Sequence, residues 1–182
     1  MELVDIYDCF GEKTGEKVSK LKAHEEGLFH KAVHVWIINK KGEVLVQRRN
    51  SNKETFPNML DISFAGHIQS EETNIEAIKR EGKEELGLDI ELEKLKYLFT
   101  YKKEWVIKEN SYFENEFDDV FLYEDDIKVE DCIFTDSEVS EVKYIDFRRL
   151  EMMWKDKNVE IIDHQVHFAG LFYILHKKFD RI

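Results

Sequence analysis

The sequence holds a single proline, Pro57, among its 182 residues, and no stretch rich in glycine and serine. Flexible linkers are built from such stretches, so no internal boundary is expected and residues 1–182 read as one domain. Cysteine is nearly as scarce. Cys9 and Cys132 stand far apart without a CxxC spacing, which excludes a disulfide scaffold and fits two free thiols in a reducing cytoplasm. The most apolar stretch, Val33–Ile38, is far shorter than the ~20 residues of a membrane span. Met1-Glu2-Leu3-Val4-Asp5 lacks the basic and apolar regions of a secretion leader, so a cytoplasmic protein without membrane contact is expected. Positive charge is also in deficit, since 27 basic against 39 acidic residues leave a net charge of −12. That balance excludes a nucleic-acid binder relying on phosphate neutralisation. An anionic small-molecule substrate would then need a local positive charge, and a divalent cation supplies one.

What is present is an alternation of strand and helix signals. Leu3–Tyr7 reads as a strand, and Gly11 and Gly15 mark turns. His30–Ile38 and Glu43–Arg48 form a hairpin about Asn39-Lys40-Lys41-Gly42. Asn50–Asn58 is a polar loop, Leu60–Ala65 a short strand, and Gly66–Glu72 loop again. A helix follows at about Thr73–Leu86, with Ser70 or Thr73 as cap and Gly87 as its stop. Leu92–Tyr101, Phe117–Tyr123 and Val139–Ile145 read as strands, then Phe147–Lys155 and Glu160–Lys178 as helices. The order predicts a mixed sheet with helices packed on it.

On a helical wheel, Ile75, Ile78, Gly82 and Leu86 share one stripe facing the core. Glu81, Glu84 and Glu85 share an adjoining arc. Like charges at these spacings repel. The plain reading is a solvated acidic face; the chemical one is a ligand set for a hard cation such as Mg²⁺ or Mn²⁺. The neighbouring letters favour the second. Gly66, Glu72, Arg80, Glu81, Glu84, Glu85 and Gly87, followed by aliphatic Leu88, fit G-x5-E-x7-R-E-U-x-E-E-x-G-U at every fixed position. At average residue usage a chance match is on the order of one in a million. On these residues the chain resembles the Nudix hydrolases. Gly82 replaces the usual aliphatic residue of the motif. A glycine there costs about 1 kcal/mol of helix propensity against alanine and admits close packing of helix on sheet.

The resemblance implies an α/β fold, a Nudix-type α/β/α sandwich with a mixed sheet. It also implies an enzyme cleaving a diphosphate bond in a nucleoside diphosphate linked to a further group, X. Glu81, Glu84 and Glu85, with the Gly66 carbonyl, would hold Mg²⁺ or Mn²⁺. Arg80 would orient Glu81, Glu72 would brace the loop, and one of the three glutamates or Glu116 would be the general base.

A wider resemblance, from about Leu3 to Asp119, is to the isopentenyl-diphosphate isomerases. It rests on Val4-Asp5-Ile6-Tyr7-Asp8, Leu28-Phe29-His30-Lys31-Ala32, Gln47-Arg48-Arg49 with Lys53, Gly66-His67 and Glu114-Asn115-Glu116. In that family residues at positions like His24, His30, His67, Glu114 and Glu116 bind a metal, and residues like Arg49 and Lys53 contact the diphosphate. The substrate-binding candidates here are accordingly Arg49, Lys53, His67 and Glu114. The isomerases carry an essential cysteine before their Gly-His pair, and here that position is Ala65, whose methyl cannot transfer a proton. Hydrolysis is therefore expected, with the isomerase and a non-catalytic nucleotide sensor as alternatives. Trp36, Phe64 and Tyr112 are candidate pocket aromatics. His164 and His167 share a helix face and read as structural. One sequence names neither X nor the oligomeric state, a homodimer included.

Overall fold

The computed structural model describes residues 2–107, 112–134 and 137–180. At its centre is a mixed seven-stranded sheet. Strand β3 (His30–Ile38) runs through the middle, buried at all but one position, as a strand covered on both faces must be. It pairs parallel with β8 (Tyr112–Glu124), from His30 opposite Glu116 to Ile38 opposite Glu124. It pairs antiparallel with β4 (Glu43–Arg49) and with β6 (Phe64–His67). Outside these lie β7 (Leu95–Ile107) on β8, and β5 (Leu60–Asp61) and β9 (Val139–Asp146), both on β4. Strands β1 (Leu3–Tyr7) and β2 (Lys13–Ser19) form a separate ribbon, followed by the short helix α1 (Lys20–Glu26).

Period-two alternation divides the apolar residues between two cores. Val33, Val35, Ile37, Phe121 and Tyr123 pack with Ala77, Ile78 and Leu86 of α2 (Asn74–Leu86). Trp36, Ile38, Val120 and Leu122 pack with Phe147 and Leu150 of α3 (Phe147–Lys155) and with Phe168, Leu171, Phe172 and Leu175 of α4 (Val166–Phe179). The result is an α/β/α sandwich. Thr73 caps α2 in a reciprocal capping box with Glu76, and Gly87 closes it at φ 71°, a left-handed conformation that favours glycine. Among the described residues no helix is long and apolar enough to cross a membrane.

Several boundaries differ from the sequence pattern, each for a tertiary reason. The expected strand Leu60–Ala65 is two strands, and Gly66 belongs to the second rather than to a loop. Ser63 makes the break: its hydroxyl donates to the Leu45 carbonyl and accepts from the Ile37 amide, so the chain crosses from β4 to β3. The hairpin of β7 and β8 is longer than expected, because the polar runs Lys102-Lys103-Glu104 and Glu114-Asn115-Glu116 break the apolar–polar alternation that marks a strand. Polar β2, with one buried residue, and seven-residue α1 carry too little periodicity to read. The last helix starts at Val166, not Glu160. Glu160 and Ile162 instead bond the backbone of Leu60, which holds this segment extended. His164 therefore precedes the helix and does not share a face with His167.

Where α3 meets α4, the ring nitrogens of His176 face Glu151 (2.8 Å) and Asp180. The hydrogen bonds to Asp180 and Glu151 raise the His176 pKa above its ordinary value. A group raised on folding stabilises fully below its unfolded pKa of ~6.5, and that stabilisation fades as pH climbs through the folded value. Melting temperature should thus fall as pH rises above about 6.5, and His176→Gln should flatten part of that slope. Thermal melts of both proteins from that pH upward are the check.

Candidate active site

Strands β3 and β4 pair only at Ile37–Leu45 and Ile38–Val44. Beyond these pairs they diverge, and β6 fills the β3 side of the opening. A cavity of about 530 Å³ lies there. It is lined by Gly66, Arg80, Glu81, Glu84 and Glu85, by Arg49, Lys53 and His67, and by Glu114 and Glu116. These ten residues proposed from sequence thus border one space, whereas Glu72 and His30, also named there, do not line it.

Helix α2 brings its carboxylates to the opening in different states. Glu85 is 4% exposed and accepts from the Gln47 side chain at 2.8 Å. Glu84 is exposed and 3.3 Å from Arg80. Glu81 pairs with Arg80 at 2.5 Å, and burial, opposed by Arg80, pushes its carboxyl up to about 7. Arg80 also donates to Glu72 (2.9 Å) and to the His67 carbonyl (2.9 Å). It ties the helix to the loop before it and to β6. A Cβ at Gly66 would lie 1.9 Å from the Glu81 side chain, so any larger residue here must displace that carboxylate. Gly82 packs on the core side of the same helix, where a Cβ would stand 2.9 Å from Ile90.

The tightest polar cluster lies on the other wall. A ligand atom each from His24, His30, His67 and Glu116 comes within 4.8 Å of the rest. Among the described residues no such group includes the α2 glutamates. His24 Nδ1 lies 2.8 Å from the Phe113 carbonyl and His30 Nδ1 2.9 Å from that of Leu28. A carbonyl only accepts, so both Nδ1 atoms carry protons and both Nε2 atoms present lone pairs. His30 Nε2 is buried without a hydrogen-bond partner, 3.5 Å from Glu116. His67 Nε2 is 3.2 Å from both His24 Nε2 and Glu116. Burial, reinforced by the charge of His67, lowers the His24 pKa to about 4, which keeps the lone pair available. Backbone-fixed tautomers and converging neutral imidazoles beside a carboxylate are the donor chemistry of a transition-metal site.

Sequence reading missed Lys103. It lies opposite Glu116 in the β7–β8 ladder, is 6% exposed, and pairs with Glu116, with Glu114 (3.3 Å) and with Asp118 (3.7 Å). Burial raises the Glu116 pKa, but the Lys103 charge and a hydrogen bond from His67 outweigh it and hold this carboxyl well below its usual range. The spacing Glu114-x-Glu116-x-Asp118 was the available signal, because it puts three carboxylates on one strand face. Arg49 bonds the Thr55 carbonyl (2.9 Å) and Asp61 (3.2 Å), and Lys53 bonds Glu138 (2.6 Å). Tyr112 lines the cavity and stacks on His24 at 4.3 Å. Trp36 and Phe64 do not reach it: both are fully buried, one in each core.

Known proteins are similar to this chain in sequence and in fold. A plant protein, Nudix hydrolase 3 of Arabidopsis thaliana, is 31% identical over 182 residues, which span 97% of this chain but 24% of its own length. The isopentenyl-diphosphate Delta-isomerase of Corynebacterium glutamicum is 36% identical over 91 residues, half of this chain and 48% of the isomerase. The crystal structure of DR0079 from Deinococcus radiodurans superposes with a TM-score of 0.70, at 22% identity, over 98% of this chain and 99% of that one. The NUDIX domain family matches residues 28–165, a span that runs from just before β3 to the start of α4 and includes all of α2, with His24 of the histidine cluster before it. The chain therefore belongs to the Nudix family.

Proposed function

We propose that this chain is a hydrolase that cleaves the diphosphate bond of a small organic diphosphate, such as a nucleoside diphosphate linked to X. The carrying observation is that one cavity is lined both by the α2 carboxylates and by His24, His67 and Glu116 of the histidine cluster, with Arg49 and Lys53 among its basic residues. Glu81, Glu84, Glu85 and the Gly66 carbonyl would hold Mg²⁺ or Mn²⁺, and the donor set of His24, His30, His67 and Glu116 suits a further ion. Bound there, divalent metal neutralises the diphosphate and lowers the pKa of the attacking water.

The chain's own residues do the rest. Arg49 and Lys53 hold phosphate oxygens, and His67 and Glu114 complete the contacts around the substrate. Arg80 keeps Glu81 against Gly66. One of Glu81, Glu84, Glu85 or Glu116 takes the proton of the attacking water. Ala65 lines the cavity where the isomerases carry their cysteine. Cys9 is exposed and Cys132 packs against the α2 core, and neither lines the cavity, which disfavours isomerisation. Two free thiols and the acidic surface fit a cytoplasmic setting, and residues 1–182 are read as one such domain.

The test is incubation with a panel of nucleoside diphosphates linked to sugars, nucleosides and alcohols, with Mg²⁺ or Mn²⁺, and identification of the products. Cleavage at a phosphorus–oxygen–phosphorus bridge, abolished by a chelator, is the expected result. Formation of the allylic isomer from isopentenyl diphosphate, or tight binding of a nucleotide never turned over, would overturn it.

A further inference from the structure

Behind the site just described lies a second group of imidazoles. One ring nitrogen from each of His34 (β3), His164 and His167 (α4) lies within 4.8 Å of the others, and all three residues are buried. His34 and His164 line the cavity, and His167 lies behind them, 0% exposed. His34 Nδ1 and His167 Nδ1 are buried without a hydrogen-bond partner. An unmet buried polar atom costs about 1–3 kcal/mol, so these nitrogens point to something that satisfies them.

The tautomers say what that is. The Trp36 indole donates to His167 Nε2 at 3.0 Å. An indole N–H only donates, so His167 carries its proton on Nδ1 and offers a donor. His164 Nε2 lies 2.7 Å from Asp61. Asp61 is anchored by Arg49 and by the Ile62 amide (2.8 Å). His164 therefore donates through Nε2 and keeps its lone pair on Nδ1. His34 Nε2 stands 3.6 Å from Asp118, beyond hydrogen-bond range, so its tautomer is not fixed from that side and its unpartnered Nδ1 can donate or accept. A metal ion fits poorly, because His167 has no free lone pair. A hydroxyl fits, because it accepts from one imidazole and donates to another. One nitrogen of each ring lies within 4.8 Å of one on each of the others, a spacing that a single oxygen spans with two hydrogen bonds of ~2.8 Å.

The wall beside this chamber is aromatic. Trp105 lines the cavity and stacks on His164 with centroids 6.1 Å apart and planes 26° from parallel. Phe56 meets Trp105 edge-on at 6.3 Å, and its backbone sits at φ 49°, an uncommon conformation for a bulky residue.

We propose that His34, His164 and His167, with Trp105, form the subsite for the organic end of the substrate, and that it takes a hydroxylated ring rather than a hydrocarbon chain. The inference rests on the diphosphatase reading, since Arg49 is both a candidate phosphate ligand and an anchor of Asp61. A ring hydroxyl would bridge the imidazoles while an apolar ring face lies against Trp105. A prenyl chain would leave the same nitrogens unmet.

Equilibrium binding by calorimetry, with Ca²⁺ replacing Mg²⁺ to slow turnover, separates the cases using ADP-ribose, UDP-glucose and isopentenyl diphosphate. At least one sugar-bearing probe should bind about tenfold or more tightly than isopentenyl diphosphate, since a site built for a hydroxyl discriminates against ligands lacking it. Trp105→Ala should erase that preference and leave isopentenyl diphosphate binding within about twofold, and His164→Phe, which also releases Asp61 beside Arg49, should weaken the sugar-bearing probes by more than it weakens isopentenyl diphosphate. His34→Leu should do the same if it folds; the other two variants carry the test if it does not. Equal binding of all three probes, or variants that weaken every probe alike, would overturn the subsite. Absence of turnover with the preference intact would instead remove the diphosphatase reading and leave the subsite standing.

Discussion

Changing Glu85 to Gln should lower diphosphate hydrolysis by about 10²–10⁴-fold with little change in melting temperature. The substitution keeps size and shape but removes the negative charge. In the present structure Glu85 is 4% exposed and accepts a 2.8 Å hydrogen bond from Gln47. A carboxylate buried on a helix otherwise packed by Ala77, Ile78, Gly82 and Leu86 is a poor choice for stability alone, because a charge out of water needs compensation. Two variants grade the effect. Gln47→Leu leaves the charge and removes its positioning partner, so a loss of about 10–100-fold is expected. Glu84→Gln changes an exposed carboxylate 3.3 Å from Arg80 and separates a ligand role from a surface role. Initial rates at saturating Mg²⁺, with melting curves for each variant, decide the matter. Activity undiminished in Glu85→Gln would sink the assignment of α2 as the catalytic helix.

How much of this was legible beforehand depends on the range of the interaction. Helix α2 was readable almost to the residue, because its cap, stop and wheel are local: Thr73 caps it and Gly87 ends it. The central hairpin was readable because β-branched and apolar residues cluster in Val33–Ile38 and Val44–Val46 on either side of the turn Asn39-Lys40-Lys41-Gly42. The reach of β7 and β8 was not, because Lys103 and Glu116 make sense only as a cross-strand pair, invisible until the register is known. The same holds for His164. A helix extended back to Glu160 satisfied periodicity, but backbone pairing with Leu60 won and delivered the imidazole to the cavity. Trp36 and Phe64 fail as pocket residues for a simpler reason: on a strand buried on both faces, or next to one, a large apolar ring goes to whichever core its parity selects. The motif itself placed Gly66 and the three glutamates, but not their division of labour, in which Arg80 occupies Glu81 while Gln47 holds Glu85.

Gly66→Ala should be nearly as damaging as loss of Glu81 itself, although the change is a single methyl group. The added carbon would fall 1.9 Å from Glu81 Cδ and Oε1, far inside contact distance. The backbone of β6 is pinned by its pairing with Val33, so the Glu81 side chain must give way. It then leaves Arg80, its 2.5 Å partner, and leaves the cavity wall. Overpacking of this kind costs about 1–3 kcal/mol, and a displaced ligand or base should add a rate loss of about 10²-fold or more. Gly82→Ala is the matched control. Its Cβ meets Ile90 at 2.9 Å and Phe64 at 3.4 Å, a crowding in the core that is partly offset by the ~1 kcal/mol gain in helix propensity, and no cavity residue is touched. Stability should shift by less than in Gly66→Ala, and activity should survive. The double variant Gly66→Ala/Glu81→Ala closes the cycle. Removing the side chain that the methyl strikes should recover most of the stability lost to Gly66→Ala while leaving the enzyme inactive, a non-additivity of about 0.5–3 kcal/mol of the kind found for residues in contact. Additive stabilities in urea melts would mean that Gly66 is needed for its backbone alone, and that the close approach of Glu81 is incidental.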